Sequence, residues 1–111
     1  MTSLVSVTAR PLISVAMLVT CCIAVLVARL TGSLDMARRW GETWQRSIGV
    51  GEFGSYDHAP YASCVTYSRT MRNAMEVRGM TWAYWEFAAG FGIYDPQTKN
   101  WTAELRDALF R

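Results

Sequence analysis

The chain has 111 residues, of which 51% are hydrophobic and 18% are charged, and its formal net charge is +2. Ten of its eleven basic residues are Arg, and they form no run long enough to suggest a nucleic-acid partner. The three cysteines have neither metal-ligand spacing nor a disulfide framework, and His58 is the only histidine. We therefore predict no nucleic-acid binding, no metal and no cofactor.

An uncharged apolar run, Pro11–Ala28, dominates the first 32 residues, with Arg10 before it and Arg29 after it. Its length is close to that of a membrane-spanning helix and longer than most signal-peptide cores. The Arg residues that follow the run favour a cytoplasmic C-terminal side. We predict that residues 1–32 form a hydrophobic helix, either a membrane anchor or a secretion signal. The protein would then be membrane-anchored or secreted, and a segment that never meets a membrane is the third alternative.

The middle of the chain predicts a helix, a strand and a second helix. Apolar residues recur at helical spacing from Leu34 to Trp44, after Gly32 and Ser33, and Ser33 suits a helix N-cap. Trp40 and Trp44 are expected to pack against a sheet. A short strand-like run then leads to Glu52 and breaks at Gly54. From Tyr61 to Met75 apolar residues mark one helical face, and Gly79 supplies the stop.

The last part of the chain contains a second strand-like run, Met80–Phe87, rich in aromatic residues. A helix-length segment separates it from the first strand, so the two predict a βαβ unit. The C-terminal rim of a parallel sheet is where active sites lie in such folds, and Glu52 is placed at that rim. From the residues alone, Glu52 also fits a strand-edge carboxylate, and Trp85 also fits packing in the barrel wall. After this strand we predict a loop over residues 88–92, a turn at Asp95–Pro96 and a short last helix over residues 101–111.

Three motifs in this order and spacing carry a resemblance: "GEFG", "WAYWEF" and "GFGIYDP". From about Ser33 to Arg111 the chain resembles the C-terminal end of a family 5 glycoside hydrolase of the bacterial cellulase (endoglucanase) type. The resemblance implies an α/β fold: residues 33–111 as the last two βα units of an incomplete (β/α)8 TIM barrel, beside the N-terminal hydrophobic helix. It also implies that Glu52 is the catalytic nucleophile and that Trp85 is the platform for the sugar beside the scissile bond.

The activity implied by the resemblance is hydrolysis of O-glycosyl bonds in β-glucans with retention of configuration, so the expected partner is a polysaccharide. A retaining glycosidase also needs an acid/base carboxylate. In the resembled family this group belongs to an Asn-Glu pair, and no such dipeptide occurs in the chain. A complete barrel takes roughly 250 residues. We therefore expect this chain alone to be inactive, as a fragment of a hydrolase.

Two alternatives remain open at this stage. The first is a small membrane-anchored module that uses the fragment to bind glycans through Trp85 or to bind a partner protein. The second is complementation, in which another polypeptide supplies the missing part of the barrel. Glu86 invites pairing with Glu52 as a two-carboxylate site, but it is adjacent to Trp85 on the strand, and we assign it a supporting role only.

Overall fold

The computed structural model describes the backbone from Ala9 to Arg111 and the side chains from Val27 onward. Contacts divide the chain into two compact units, Met1–Ser33 and Leu34–Arg111. The secondary structure runs in the order α1 (Ala9–Trp44), β1 (Gly49–Phe53), α2 (Tyr61–Glu76), β2 (Thr81–Tyr84), β3 (Tyr94–Asp95), β4 (Asn100–Trp101) and α3 (Ala103–Phe110). The predicted α/β fold is confirmed for the second unit, and its described residues form no closed barrel.

Helix α1 differs from the prediction at Ser33. The Ser33 hydroxyl donates a hydrogen bond to the Arg29 carbonyl (3.3 Å) within the helix, so Ser33 is not an N-cap. The helix ends where Gln45 takes a left-handed conformation (φ 51°) and the Arg46 amide donates to the Gly41 carbonyl (2.9 Å).

The apolar segment of residues 1–32 lies mostly before Val27, outside the residues whose side chains are described. Its predicted role as a hydrophobic anchor or signal therefore stays a prediction. Within the part of the chain that the structure describes, no helix combines the length and apolar character needed to cross a membrane.

The predicted βαβ unit is confirmed: β1 and β2 pair in parallel and α2 connects them. Val50 lies opposite Trp82, and Phe53 lies opposite Tyr84, so the register shifts between these two pairs. Three steps along β1 therefore match two steps along β2, which is the geometry of a β-bulge. The extra residue falls within Gly51–Glu52.

Helices α2 and α3 supply most of the core, because each is amphipathic and turns its apolar face inward. The buried side chains include Phe53 of β1, five residues of α2 (Cys64, Val65, Ser68, Met71 and Met75) and three of α3 (Leu105, Ala108 and Leu109). Cys64 is a free, buried thiol. This core covers one face of the two-stranded sheet.

The packing predicted for Trp40 and Trp44 is wrong in this structure. Their side chains are 54% and 63% exposed, and Met36 on the same helix is 64% exposed. Helical spacing correctly groups these residues on neighbouring turns, but a sheet of only two strands offers little surface to cover them.

Candidate functional site

Glu52 lies in the β-bulge near the carboxyl end of β1, and its side chain is exposed. The next residue, Phe53, is buried, and its ring makes edge contacts with the rings of Trp82 (5.6 Å) and Tyr84 (5.4 Å). Because successive strand side chains point to opposite faces, the burial of Phe53 in the core directs Glu52 to the open face of the sheet. Bulges re-aim side chains beside active sites in many sheets.

Trp85 continues β2 at the same rim. Its backbone amide donates a hydrogen bond to the Phe53 carbonyl (2.8 Å), so the strand pairing extends to this residue. Its indole is 51% exposed. The structure thus brings Glu52 and Trp85 to the carboxyl ends of adjacent parallel strands.

Gly54 explains how the two strand ends come so close. A side chain at Gly54 would collide with the Trp85 carbonyl oxygen and touch the Phe91 ring. Only a residue without a Cβ allows this approach of two backbones. The second glycine of the "GEFG" motif is therefore required by the contact between the two strand ends.

Glu86 has more contacts than the sequence suggested. Its carboxylate accepts hydrogen bonds from three backbone amides of the following loop: Ala89 (2.7 Å), Ala88 (3.2 Å) and Phe91 (3.2 Å). No periodicity or motif marks this arrangement, because it depends on how the chain turns after the strand. The only signal available beforehand was a carboxylate followed closely by small residues.

The loops after the two strands are joined to each other. The Asp57 amide donates to the Gly90 carbonyl (2.8 Å), and the ring of Tyr56 lies against Gly90 and 5.1 Å from the ring of Phe91. The ring of His58 stacks on the ring of Tyr56 (centroids 4.5 Å apart), and the His58 side chain is largely exposed.

Tyr84 carries the ionisable hydroxyl group of β2, but its side chain faces the core. Burial raises the pKa of the Tyr84 hydroxyl, and the neighbouring Ser68 hydroxyl offsets this in part. Both oxygens are buried, and neither has a hydrogen-bond partner of good geometry among the described residues. Tyr84 therefore stays protonated at neutral pH and lies on the opposite face from Glu52, so it is no substitute for the acid/base.

Glu52 and Trp85 line neither of two grooves found in the second unit. One, of about 330 Å³, lies at the end of α1 and is lined by Arg38, Glu42 and Arg46 among others. The other, of about 480 Å³, lies between the loop that follows β1 and the loop that follows β2. Glu52 thus stands on an open surface. In the described part of the chain no group of three or more His, Cys, Asp or Glu side chains could hold a metal ion.

Solved structures of endoglucanases match this fold, whereas no protein-family model and no curated protein matches the sequence. Thermotoga maritima Cel5A in complex with mannotriose has a TM-score of 0.73 and 34% identity over 76% of this chain. A hyperthermophilic endo-β-1,4-glucanase in complex with substrate has a TM-score of 0.73 and 37% identity over 77% of the chain. The cellulose synthase subunit Z (CcsZ) of Clostridioides difficile has a TM-score of 0.73 and 33% identity over 77%.

The matches include most of this chain but a much smaller share of each matched protein. The chain covers 27% of Cel5A and 28% of each of the other two. Cel5A has also been solved in complex with cellobiose. The resemblance inferred from the sequence is confirmed at this coarser level: the α/β fold corresponds to about a quarter of a family 5 endoglucanase.

Proposed function

We propose that this chain carries the nucleophile and sugar-platform part of a retaining β-glucan endoglucanase, with Glu52 as nucleophile and Trp85 as platform. One observation carries the proposal: an exposed carboxylate in a bulge at the rim is joined through backbone contacts to a half-exposed indole on the next strand. The similarity to endoglucanases solved with cellobiose or mannotriose supports a β-linked polysaccharide as the substrate class.

The proposed chemistry is nucleophilic. A Glu52 carboxylate oxygen forms a bond to the anomeric carbon while the bond from that carbon to the leaving oxygen breaks. The leaving oxygen needs a proton from a second carboxyl group about 5–5.5 Å from the first. Glu86 does not suit this role, because its carboxylate accepts three backbone hydrogen bonds. Without the acid, turnover of natural glucans should fall by about 10²–10⁴-fold, so this chain alone should be inactive.

Trp85 is proposed to bind the sugar ring at the reacting position. An indole face suits the C–H-rich face of a pyranose, and it contributes apolar contact area without an ionisable group. Because this contact is made in the ground state and in the transition state, its loss should weaken binding more than it slows the chemical step.

A substrate with a strong leaving group tests the nucleophile without the missing acid. 2,4-Dinitrophenyl 2-deoxy-2-fluoro-β-cellobioside releases dinitrophenolate as a stable anion, so its departure requires no proton donor. The fluorine slows hydrolysis of the glycosyl-enzyme, which then accumulates. We expect intact-mass spectrometry to show one fluorocellobiosyl adduct, and peptide mapping to place it on Glu52.

The matched variants are Glu52→Gln, Glu104→Gln and two Trp→Ala changes. Glu52→Gln should abolish the adduct, whereas Glu104→Gln, an exposed carboxylate on α3, should not affect it. Trp85→Ala should slow labelling at subsaturating sugar, whereas Trp44→Ala, at an indole 63% exposed on α1, should not. An unlabelled wild-type chain, or an adduct that survives Glu52→Gln, would contradict the proposal.

A binding role for the same fragment is the second candidate, as a membrane-anchored glycan- or protein-binding module or as one part of a barrel completed by another chain. The exposed apolar side chains of Met36, Trp40 and Trp44 favour a protein contact, because α1 presents them on neighbouring turns. Light scattering after size exclusion tests this contact. If this face mediates self-association, replacing both tryptophans with Gln should reduce it. Unchanged association would exclude this face as the contact surface.

A further inference from the structure

We propose that Glu86 is a positioning residue that holds the loop Glu86–Gly92, hereafter the rim loop, in the shape that presents Trp85 to a sugar. The inference deepens the proposed function and rests on it for the role of Trp85. It does not make Glu86 a catalytic residue, because Glu86 is argued to act through its neighbour.

The carboxylate of Glu86 accepts three amides of the rim loop, which backbone hydrogen bonds from Gly92 to Ala89 (2.9 Å) and from Asp57 to Gly90 (2.8 Å) also hold. One oxygen accepts the amides of Ala89 (2.7 Å) and Phe91 (3.2 Å), and the other accepts the amide of Ala88 (3.2 Å). Three amides that converge on one carboxylate form an anion-binding concavity whose ligand belongs to the same chain. Hydrogen bonds to an ionised acceptor are stronger than those between neutral groups.

No cation competes with this arrangement in the part of the chain that the structure describes. Glu86 takes part in none of the ion pairs formed there. The negative charge of Glu86 is therefore balanced by backbone dipoles of the rim loop.

Trp85 depends on the rim loop because little else fixes its indole. Trp85 belongs to none of the aromatic ring pairs among the described residues, and its side chain is half exposed. Its main chain is held on one side by the Phe53 carbonyl and on the other by the rim loop, which is hydrogen-bonded to Asp57 through Gly90. A change in the rim loop should therefore move Trp85 directly.

Three variants of the full chain separate positioning from general stability. Glu86→Ala removes all three acceptors. Glu86→Gln keeps one oxygen, which can still accept the amides of Ala89 and Phe91. Glu104→Ala is the matched control, because it removes an exposed carboxylate at the start of α3, away from the rim.

Two measurements need no sugar. In Glu86→Ala, amide hydrogen exchange at Ala88, Ala89 and Phe91 should be about tenfold faster or more, since each amide loses a charged acceptor. With 5-fluorotryptophan incorporated, the ¹⁹F resonance of Trp85, assigned by Trp85→Phe, should shift and broaden, while the resonances of Trp40 and Trp44 on α1 stay. Glu86→Gln should restore exchange protection at Ala89 and Phe91 more than at Ala88.

The third measurement links the rim loop to function. Labelling by the fluorocellobioside should slow in Glu86→Ala about as much as in Trp85→Ala, and the double variant should be no slower than either single one. Unchanged amide exchange and an unchanged Trp85 resonance in Glu86→Ala would overturn the proposal. So would additive losses in the double variant. Failure of the wild-type chain to label would refute the proposed function, while the first two measurements would still decide the role of Glu86.

Discussion

Replacing Gly54, the residue that follows β1, with Ala should disrupt the junction between β1 and β2 more than the same change at Gly51 within β1. The new Cβ would collide with the Trp85 carbonyl oxygen, which is backbone and has no flexible end to move away. The φ angle of Gly54 is not in the left-handed range, so the effect is steric rather than conformational. Relief requires the two strand ends to separate, and the hydrogen bond from the Trp85 amide to the Phe53 carbonyl then lengthens.

The expected cost follows from these two effects. Overpacking of a tight contact costs about 1–3 kcal/mol, and a weakened backbone hydrogen bond costs about 0.5–1.5 kcal/mol. We therefore expect Gly54→Ala to lower the free energy of unfolding by about 2–4 kcal/mol. Urea titration followed by tryptophan fluorescence measures this change, and near-ultraviolet circular dichroism reports on the aromatic environment.

Gly51→Ala is the matched control, because it adds the same methyl group three residues earlier, within β1. No atom lies within 4 Å of the position its Cβ would occupy. A glycine in a strand is less favourable than Ala by about 0.5–1 kcal/mol, so this variant should be neutral or slightly more stable. Equal destabilisation by the two substitutions would refute the reasoning, because it would show that the cost does not come from the contact with Trp85.

Three further predictions concern the rest of the chain. Met75→Ala empties a fully buried site and should cost about 2–5 kcal/mol in urea titration, whereas Val77→Ala, at a side chain 78% exposed, should change stability by less than about 0.5 kcal/mol. The hydrogen bond from Arg78 lowers the pKa of Asp35 below its ordinary 3.8. The ionised Asp35 carboxylate therefore stabilises the fold above that value, and this stabilisation is lost as the pH falls through the lowered pKa. Asp35→Asn should flatten the acid side of the stability–pH curve, and an unchanged curve would contradict this. Cell fractionation should find the chain in membranes because of the run Pro11–Ala28, and intact protein in the soluble fraction would refute that.

The sequence was sufficient for the elements whose pattern is regular. Helical spacing from Tyr61 to Met75 with a stop at Gly79 predicted α2, and the structure confirms it, with Gly79 at φ 68°. The aromatic run from Met80 predicted β2. The placement of Glu52 at the rim followed from the βαβ connection, since parallel strands end at the same edge of a sheet. The placement of Trp85 at the end of the next strand came from the family resemblance.

What the sequence did not reveal depends on contacts rather than on pattern. The bulge before Phe53 adds one residue to β1 without altering its composition, so no alternation could expose it. The β3–β4 hairpin was predicted only as a turn at Asp95–Pro96, because its two-residue strands are too short for periodicity. The exposure of Trp40 and Trp44 was missed for a similar reason: spacing indicates which residues share a helix face but not what covers that face.

The contacts that fix the rim are local. The geometry of Glu52 and Trp85 can therefore be tested separately from glucan hydrolysis. The contact of Gly54 with the Trp85 carbonyl and the hydrogen bond of Asp57 to Gly90 join the chain just after β1 to the chain just after β2. Glu86 and its three amides hold the chain after β2 in shape. None of these contacts needs another strand of a barrel, so the βαβ unit itself sets the positions of Glu52 and Trp85. Protonation of the leaving oxygen, in contrast, depends on a second carboxyl group, and Glu86, whose carboxylate accepts three backbone hydrogen bonds, does not suit that role. Loss of glucan hydrolysis would therefore say nothing about the geometry of the nucleophile, whereas labelling by a sugar that needs no acid tests that geometry directly.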